Sequence, residues 1–172
     1  MKAIVYESYT GHTAAYAKLL AARMRLPVYS RKDAKHALRP GDSIVYMGWL
    51  NAGIVMGFSK ARKRYDVRAL CAVGMTERLA EVQVDGIRKK YALAELPVFY
   101  LAGGFEMDKV RGIYKLMMRM MERIVAGQMA KKQDKDDADR EMLDLIRNGG
   151  SLVDAAKLDP VAEWLEQDGK AK

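Results

Sequence analysis

An open, doubly wound α/β sheet is the fold this sequence predicts, and three observations predict it. Five short apolar runs rich in β-branched residues recur along the first hundred residues. Helix-forming stretches alternate with them, giving the βαβ rhythm of parallel strands covered on both faces. Small polar residues and glycines punctuate the points where runs end, where such sheets place their loops.

Each element follows in order. Ala3–Tyr6 reads as a buried first strand with no polar break. His12–Met24 is rich in alanine and leucine, so it reads as a helix capped near Thr10 or Gly11 and stopped by Pro27. Val28–Ser30 is a second strand, and Pro40-Gly41-Asp42 a turn before the third, Ser43–Met47. A loop marked by Asn51–Gly53 and Gly57 follows, with a helix expected from about Val55 to Tyr65. Val67–Gly74 is the fourth strand, Ala80–Tyr91 a helix, and Leu96–Leu101 the fifth strand. Beyond Gly104 the chain reads as helical, interrupted by the charged stretch KKQDKDDADR at Lys131–Arg140, where Asp134 caps a helix. That helix would end at Asn148-Gly149-Gly150, and Asp159-Pro160 opens a terminal helix holding Trp164. The expectation is one domain over residues 1–172, with 105–150 a helical insertion or extension after the fifth strand.

Composition narrows the classes. The chain has 172 residues, half of them apolar, and a net charge of +8. One cysteine, Cys71, excludes an internal disulfide and a cysteine zinc cluster; it falls in an apolar run and reads as core. Two histidines, His12 and His36, are too few for a metal site. No run reaches the ~20 apolar residues of a bilayer span, and the opening turns polar too early for a secretory signal, so a cytoplasmic location is expected. The densest basic cluster, Lys60–Arg68, has one interleaved aromatic and reads as a helix end rather than a nucleic-acid patch.

The stretch ESYTGHT, Glu7–Thr13, lies where the first strand meets the first helix. There the free amides and the helix dipole attract an anion, Ser8, Thr10 and Thr13 add hydroxyls, and Gly11 allows close backbone approach. Without a lysine or P-loop spacing, the chemistry suits a single terminal phosphate; an ordinary helix cap is the competing reading.

VYESYTGHTAAYAKLL resembles the flavodoxin fingerprint, in which a strand leads into Ser/Thr-x-Thr-Gly-x-Thr and then a helix with alanine four residues on. Here the pattern falls on Ser8, Thr10, Gly11, Thr13 and Ala17. The resemblance implies a five-stranded parallel sheet in the order 2-1-3-4-5 and an FMN whose phosphate the loop Ser8, Tyr9, Thr10, Gly11, His12 and Thr13 wraps. It implies Trp49, Leu50, Asn51, Ala52 and Gly53 against one side of the flavin ring, and Met75 and Thr76 against the other. The catalytic residues stay unassigned, since flavin carries its own redox chemistry.

Lys109–Gln128, with FYLAGGF before it and a charged linker and Trp helix after it, resembles the flavodoxin-domain family that includes bacterial menaquinone-dependent protoporphyrinogen oxidase. This implies an oxidoreductase passing electrons between a hydrophobic substrate, a porphyrinogen among the candidates, and an acceptor such as a quinone or a redox partner protein. A non-catalytic electron carrier and a flavin-free binding module are the alternatives. On a helical wheel 109–128 sets a broad methionine-rich face against a basic stripe. Two readings stand: the apolar face packs across the sheet or against its own neighbours, with the basic stripe as its wet side, or it meets a flat hydrophobic substrate or the anionic inner face of a membrane.

Overall fold

A computed structural model describes residues 1–131, 145 and 147–170. Five parallel strands form the main sheet: β1 (Ala3–Glu7), β2 (Val28–Ser30), β3 (Ser43–Asn51), β5 (Asp66–Gly74) and β6 (Val98–Ala102). Their order is β2-β1-β3-β5-β6, the expected 2-1-3-4-5 once the strands are counted along the parallel sheet. Strand order reverses between β1 and β3, so the carboxyl ends of those two strands frame a crevice.

Side chains alternate between the two faces, as a pleated sheet requires. One face carries Ile4, Val45, Met47, Cys71 and Val73 and is covered by α1 (His12–Met24), α6 (Asp159–Lys170) and the turn leading into α6, through Tyr16, Leu20, Leu158, Val161 and Leu165. The other carries Val5, Ile44, Tyr46, Leu70 and Ala72. It is covered by α2 (Arg31–Ala37), α3 (Phe58–Arg64) and α4 (Ala80–Tyr91). Cys71 is fully buried, and desolvation pushes its thiol up to about 12, which keeps it protonated and inert.

Three features differ from what the sequence predicts or were not predicted by it. The stretch 55–57 is not helical: β4 (Ile54–Val55) turns back and pairs antiparallel with Leu50 and Asn51, and α3 begins only at Phe58. Ala52 at φ 47° and Gly53 at φ 74° make a two-residue hairpin turn, whose twist matches the strands. β3 therefore runs nine residues, and Trp49, Leu50 and Asn51 are strand residues, not loop residues. Second, α2 fills the stretch before Pro40. Ser30 caps it, accepting from the Asp33 amide at 3.2 Å, but its seven residues bury only Ala34, too little to show a helical period.

Third, a small antiparallel ladder joins β7 (Gly104–Phe105) to β8 (Gly150–Ser151), tying the loop after β6 to the returning chain. Gly149, at φ 71°, donates to the Leu145 carbonyl at 3.0 Å, the glycine stop expected there. The Asp134 cap falls at 132–144, outside the described residues. α5 (Gly112–Lys131) leaves the sheet end between these pieces. Asp154 accepts from the Ala156 amide and opens the turn into α6, which Arg68 anchors to β5 through Asp168 at 2.8 Å. Trp164 packs near Phe99, 6.5 Å between ring centres.

Candidate functional site

The loop leaving β1 turns at Ser8–Gly11. Gly11 sits at φ 104°, a left-handed geometry that costs a side-chain-bearing residue roughly 1–2 kcal/mol. Its amide donates to the Ser8 hydroxyl at 3.2 Å. Gly11 is also the N-cap of α1 and brings no side-chain acceptor, so the first turn of the helix opens without a cap. Such a terminus is chemically ready for an anion.

Tyr9 projects from the same loop. Its ring stacks on Trp49 at 5.2 Å and 24°, and both rings meet Tyr114 of α5 edge-on, at 5.4 and 5.6 Å. The Tyr9 hydroxyl accepts from the Arg111 amide at 2.9 Å and donates to the Arg111 carbonyl at 3.1 Å. One side chain thus latches the start of α5 onto the strand-end loop.

Beneath the three rings lies an apolar cavity of about 100 Å³. The ends of four chain segments line it: Tyr9, Thr10, His12 and Thr13 after β1; Trp49, Leu50 and Asn51 of β3; Val73, Gly74 and Met75 at the end of β5; Gly104 and Phe105 of β7. Val110, Tyr114 and Met117 close it from the α5 side. A second recess, about 370 Å³, lies on the other flank of the loop between Glu7, Ser8, Gly11, Ser30, Arg31 and Lys32. Arg31 pairs there with the Glu7 carboxylate.

His12 is the polar residue of interest. It is only 8% exposed, wedged against Gly103. A Cβ at Gly103 would sit 2.9 Å from that of His12, so only glycine lets the two segments approach. The imidazole Nδ1 meets the Thr10 hydroxyl at 3.1 Å, while Nε2 is buried and, among the described residues, has no hydrogen-bond partner. Burial lowers the His12 pKa below its ordinary value; Glu106 pulls it back up and Lys109 adds to the fall. The Lys109 ammonium, bonded to Glu106, holds that carboxyl below the usual range.

The expected site residues therefore divide. Tyr9, Thr10, His12, Thr13, Trp49, Leu50, Asn51 and Met75 converge on the cavity, while Ser8 and Gly11 line the second recess. Ala52 and Gly53 form the hairpin turn, and the Thr76 carbonyl takes the Tyr100 hydroxyl at 2.6 Å; these three lie outside the cavity lining. Sequence reasoning missed Phe105, Val110 and Tyr114 as wall residues, because only the fold over β7 and α5 brings them to the strand ends. The aromatic at 105 beside two glycines was the available signal.

The donor set fits a flavin mononucleotide: hydroxyls and an uncapped helix end for a phosphate, aromatic and methionine side chains for a planar ring. The volume does not yet fit, since ligand sites run from roughly 300 Å³ upward. A ring held between two others needs their planes about 7 Å apart, more than the 5.2 Å between Tyr9 and Trp49. Ring binding thus requires the Tyr9–Trp49 pair to part or to offer one outer face.

No curated protein and no solved structure matches the chain. A family profile described as flavodoxin domain matches residues 3–132, most of the chain and every strand of the parallel sheet. With the sheet order, the uncapped α1 terminus and the aromatic cavity at the strand ends, the match shows that the chain belongs to the flavodoxin domain family, whose members bind flavin and transfer electrons.

Proposed function

We propose that the chain binds FMN at the β1–α1 loop and works as an oxidoreductase, passing electrons between a hydrophobic substrate and an acceptor such as a quinone. The observation that carries this is the joining of an anion-ready helix terminus to an apolar, aromatic-walled cavity across 9–13. When bound, the flavin supplies the electron-transfer chemistry. The protein's share is binding and exclusion of water. Thr10 and Thr13 hydroxyls with the first amides of α1 hold the phosphate; once their own stack opens or offers a face, Trp49 and Tyr9 stack on the ring; Met75, Phe105 and Val110 keep the ring's surroundings dry. The buried, neutral His12 offers Nε2 as the one orphaned polar atom of the lining, for a hydrogen bond to the ligand.

The net charge of +8 separates this chain from acidic electron shuttles. Together with the apolar wall supplied by α5, it favours a small hydrophobic electron donor, with a porphyrinogen as the first candidate on the likeness of 109–128. An FMN titration followed by flavin fluorescence tests the cofactor. Wild type should quench it, and Trp49→Ala should relieve the quenching and weaken binding roughly 30-fold, about 2 kcal/mol. No binding at tens of micromolar FMN ends the flavin reading. Anaerobic stopped-flow mixing of the loaded protein with porphyrinogen and with quinone tests the reaction. A stable semiquinone with no turnover of either would instead assign a plain electron carrier.

A further inference from the structure

α5 is the most exposed apolar element among the described residues. Ile113, Leu116, Met120 and Ile124 are 77, 69, 59 and 51% exposed, far above the singly scattered apolar residues of an ordinary surface. At about 100° per residue the four side chains fall in an arc about 80° wide. Arg119 and Arg123, both exposed, follow along one edge of that arc. Along the other edge stand Met117 and Tyr114, which line the cavity, so the exposed stripe runs without a break into the mouth of the site.

The charges decide what covers it. Glu122 is the one acidic residue in Gly112–Lys131, and it points away from the stripe, toward Arg147 at 3.1 Å. Among the described residues, the exposed side of α5 therefore offers apolar groups and cations with no acid among them, the pattern that suits an anionic surface. A lipid interface deforms around a single convex helix face and takes arginines at the headgroup level. None of the helices among the described residues is long and apolar enough to cross a bilayer, so the contact lies in the interface plane.

We infer that α5 seats this protein on an anionic membrane surface, with Ile113, Leu116, Met120 and Ile124 in the acyl boundary and the cavity mouth facing the lipid. A hydrophobic ligand would then pass from the bilayer along Met117 and Tyr114 into the site without crossing water. The membrane contact does not rest on the flavin assignment.

Co-sedimentation of the full chain with vesicles at low salt tests it, using phosphatidylcholine alone and phosphatidylcholine mixed with phosphatidylglycerol. The expected result is pelleting with the anionic vesicles and little with the neutral ones. Arg119→Gln with Arg123→Gln should weaken it about 25-fold, fivefold per cation. Ile113→Ser with Leu116→Ser should weaken it at least tenfold with every charge kept. All four positions are exposed, and an unchanged far-ultraviolet circular dichroism spectrum confirms the fold. Failure to pellet, equal binding to neutral vesicles, or full binding by the Ile113/Leu116 variant overturns the inference. So does a dimer in light scattering that the Leu116 change dissociates while vesicle binding is absent. Loss of FMN binding with vesicle binding intact would sink the flavin reading alone.

Discussion

The two helices that reach the cavity, α1 and α5, treat their apolar residues in opposite ways. α1 buries His12, Thr13, Tyr16, Ala17, Leu20 and Ala21, and the Tyr16 hydroxyl donates to the Ala102 carbonyl at 2.8 Å. α5 is longer and richer in large apolar side chains, yet Ile113 and Leu116 stay mostly in water. Hydrophobicity alone does not separate them. α1 follows a central strand through a four-residue loop, so its only route back lies flat on the sheet. α5 leaves after the last strand, when α2, α3 and α4 cover one face and α1 and α6 share the other. No sheet surface remains for it. Of the readings the sequence allowed for 109–128, packing across the sheet is therefore not what the helix does, since Leu158, Val161 and Leu165 at the terminal helix occupy that ground; packing against its own neighbours is met on one side, where Tyr114 joins Phe105 and Val110.

The sharpest way to break this comparison is one substitution on each helix. Leu20→Ala, fully buried, should lower unfolding free energy by about 2–5 kcal/mol in urea denaturation. Leu116→Ala should change it by less than about 0.5 kcal/mol. Similar losses at the two sites would mean that α5 is packed as α1 is.

The junction between the helices is tested by Tyr9→Phe, which keeps the ring and removes both bonds to Arg111. A loss of about 1 kcal/mol is expected, with faster amide exchange confined to the start of α5. Exchange that quickens in α1 instead would show the latch holds the loop, not the helix.

The smallest effect is on pH. The His12 pKa is lowered on folding from its ordinary value near 6.5. Between the lowered value and that point the unfolded chain binds a proton that the folded chain refuses. Stability should therefore be full above about pH 6.5 and fall as pH drops through the window. Glu106 and Lys109 face the same imidazole, so the comparison is with His12→Gln, which should flatten the slope there. A variant with the wild-type slope would show that other groups carry it.

The sequence alone specified the parallel sheet, its order once the fingerprint at Ser8–Ala17 was read, and helices at His12–Met24 and Ala80–Tyr91 to the residue. Those features are local: apolar period, helix propensity and turn glycines act within a few residues, so the chain displays them without its fold. It also showed the half of the site that lies on one continuous stretch, Tyr9 to Thr13. Tertiary structure decided the rest. It buried His12 against Gly103, extended β3 to Asn51 at the Ala52–Gly53 turn, and brought Tyr114, Phe105 and Val110 to the cavity beside the expected Trp49 and Met75. It also gave the last sheet face to the terminal helix and left the apolar side of α5 outside. Such outcomes depend on which segment reaches a shared surface first and fits it best, a competition among distant parts of the chain that no local pattern records.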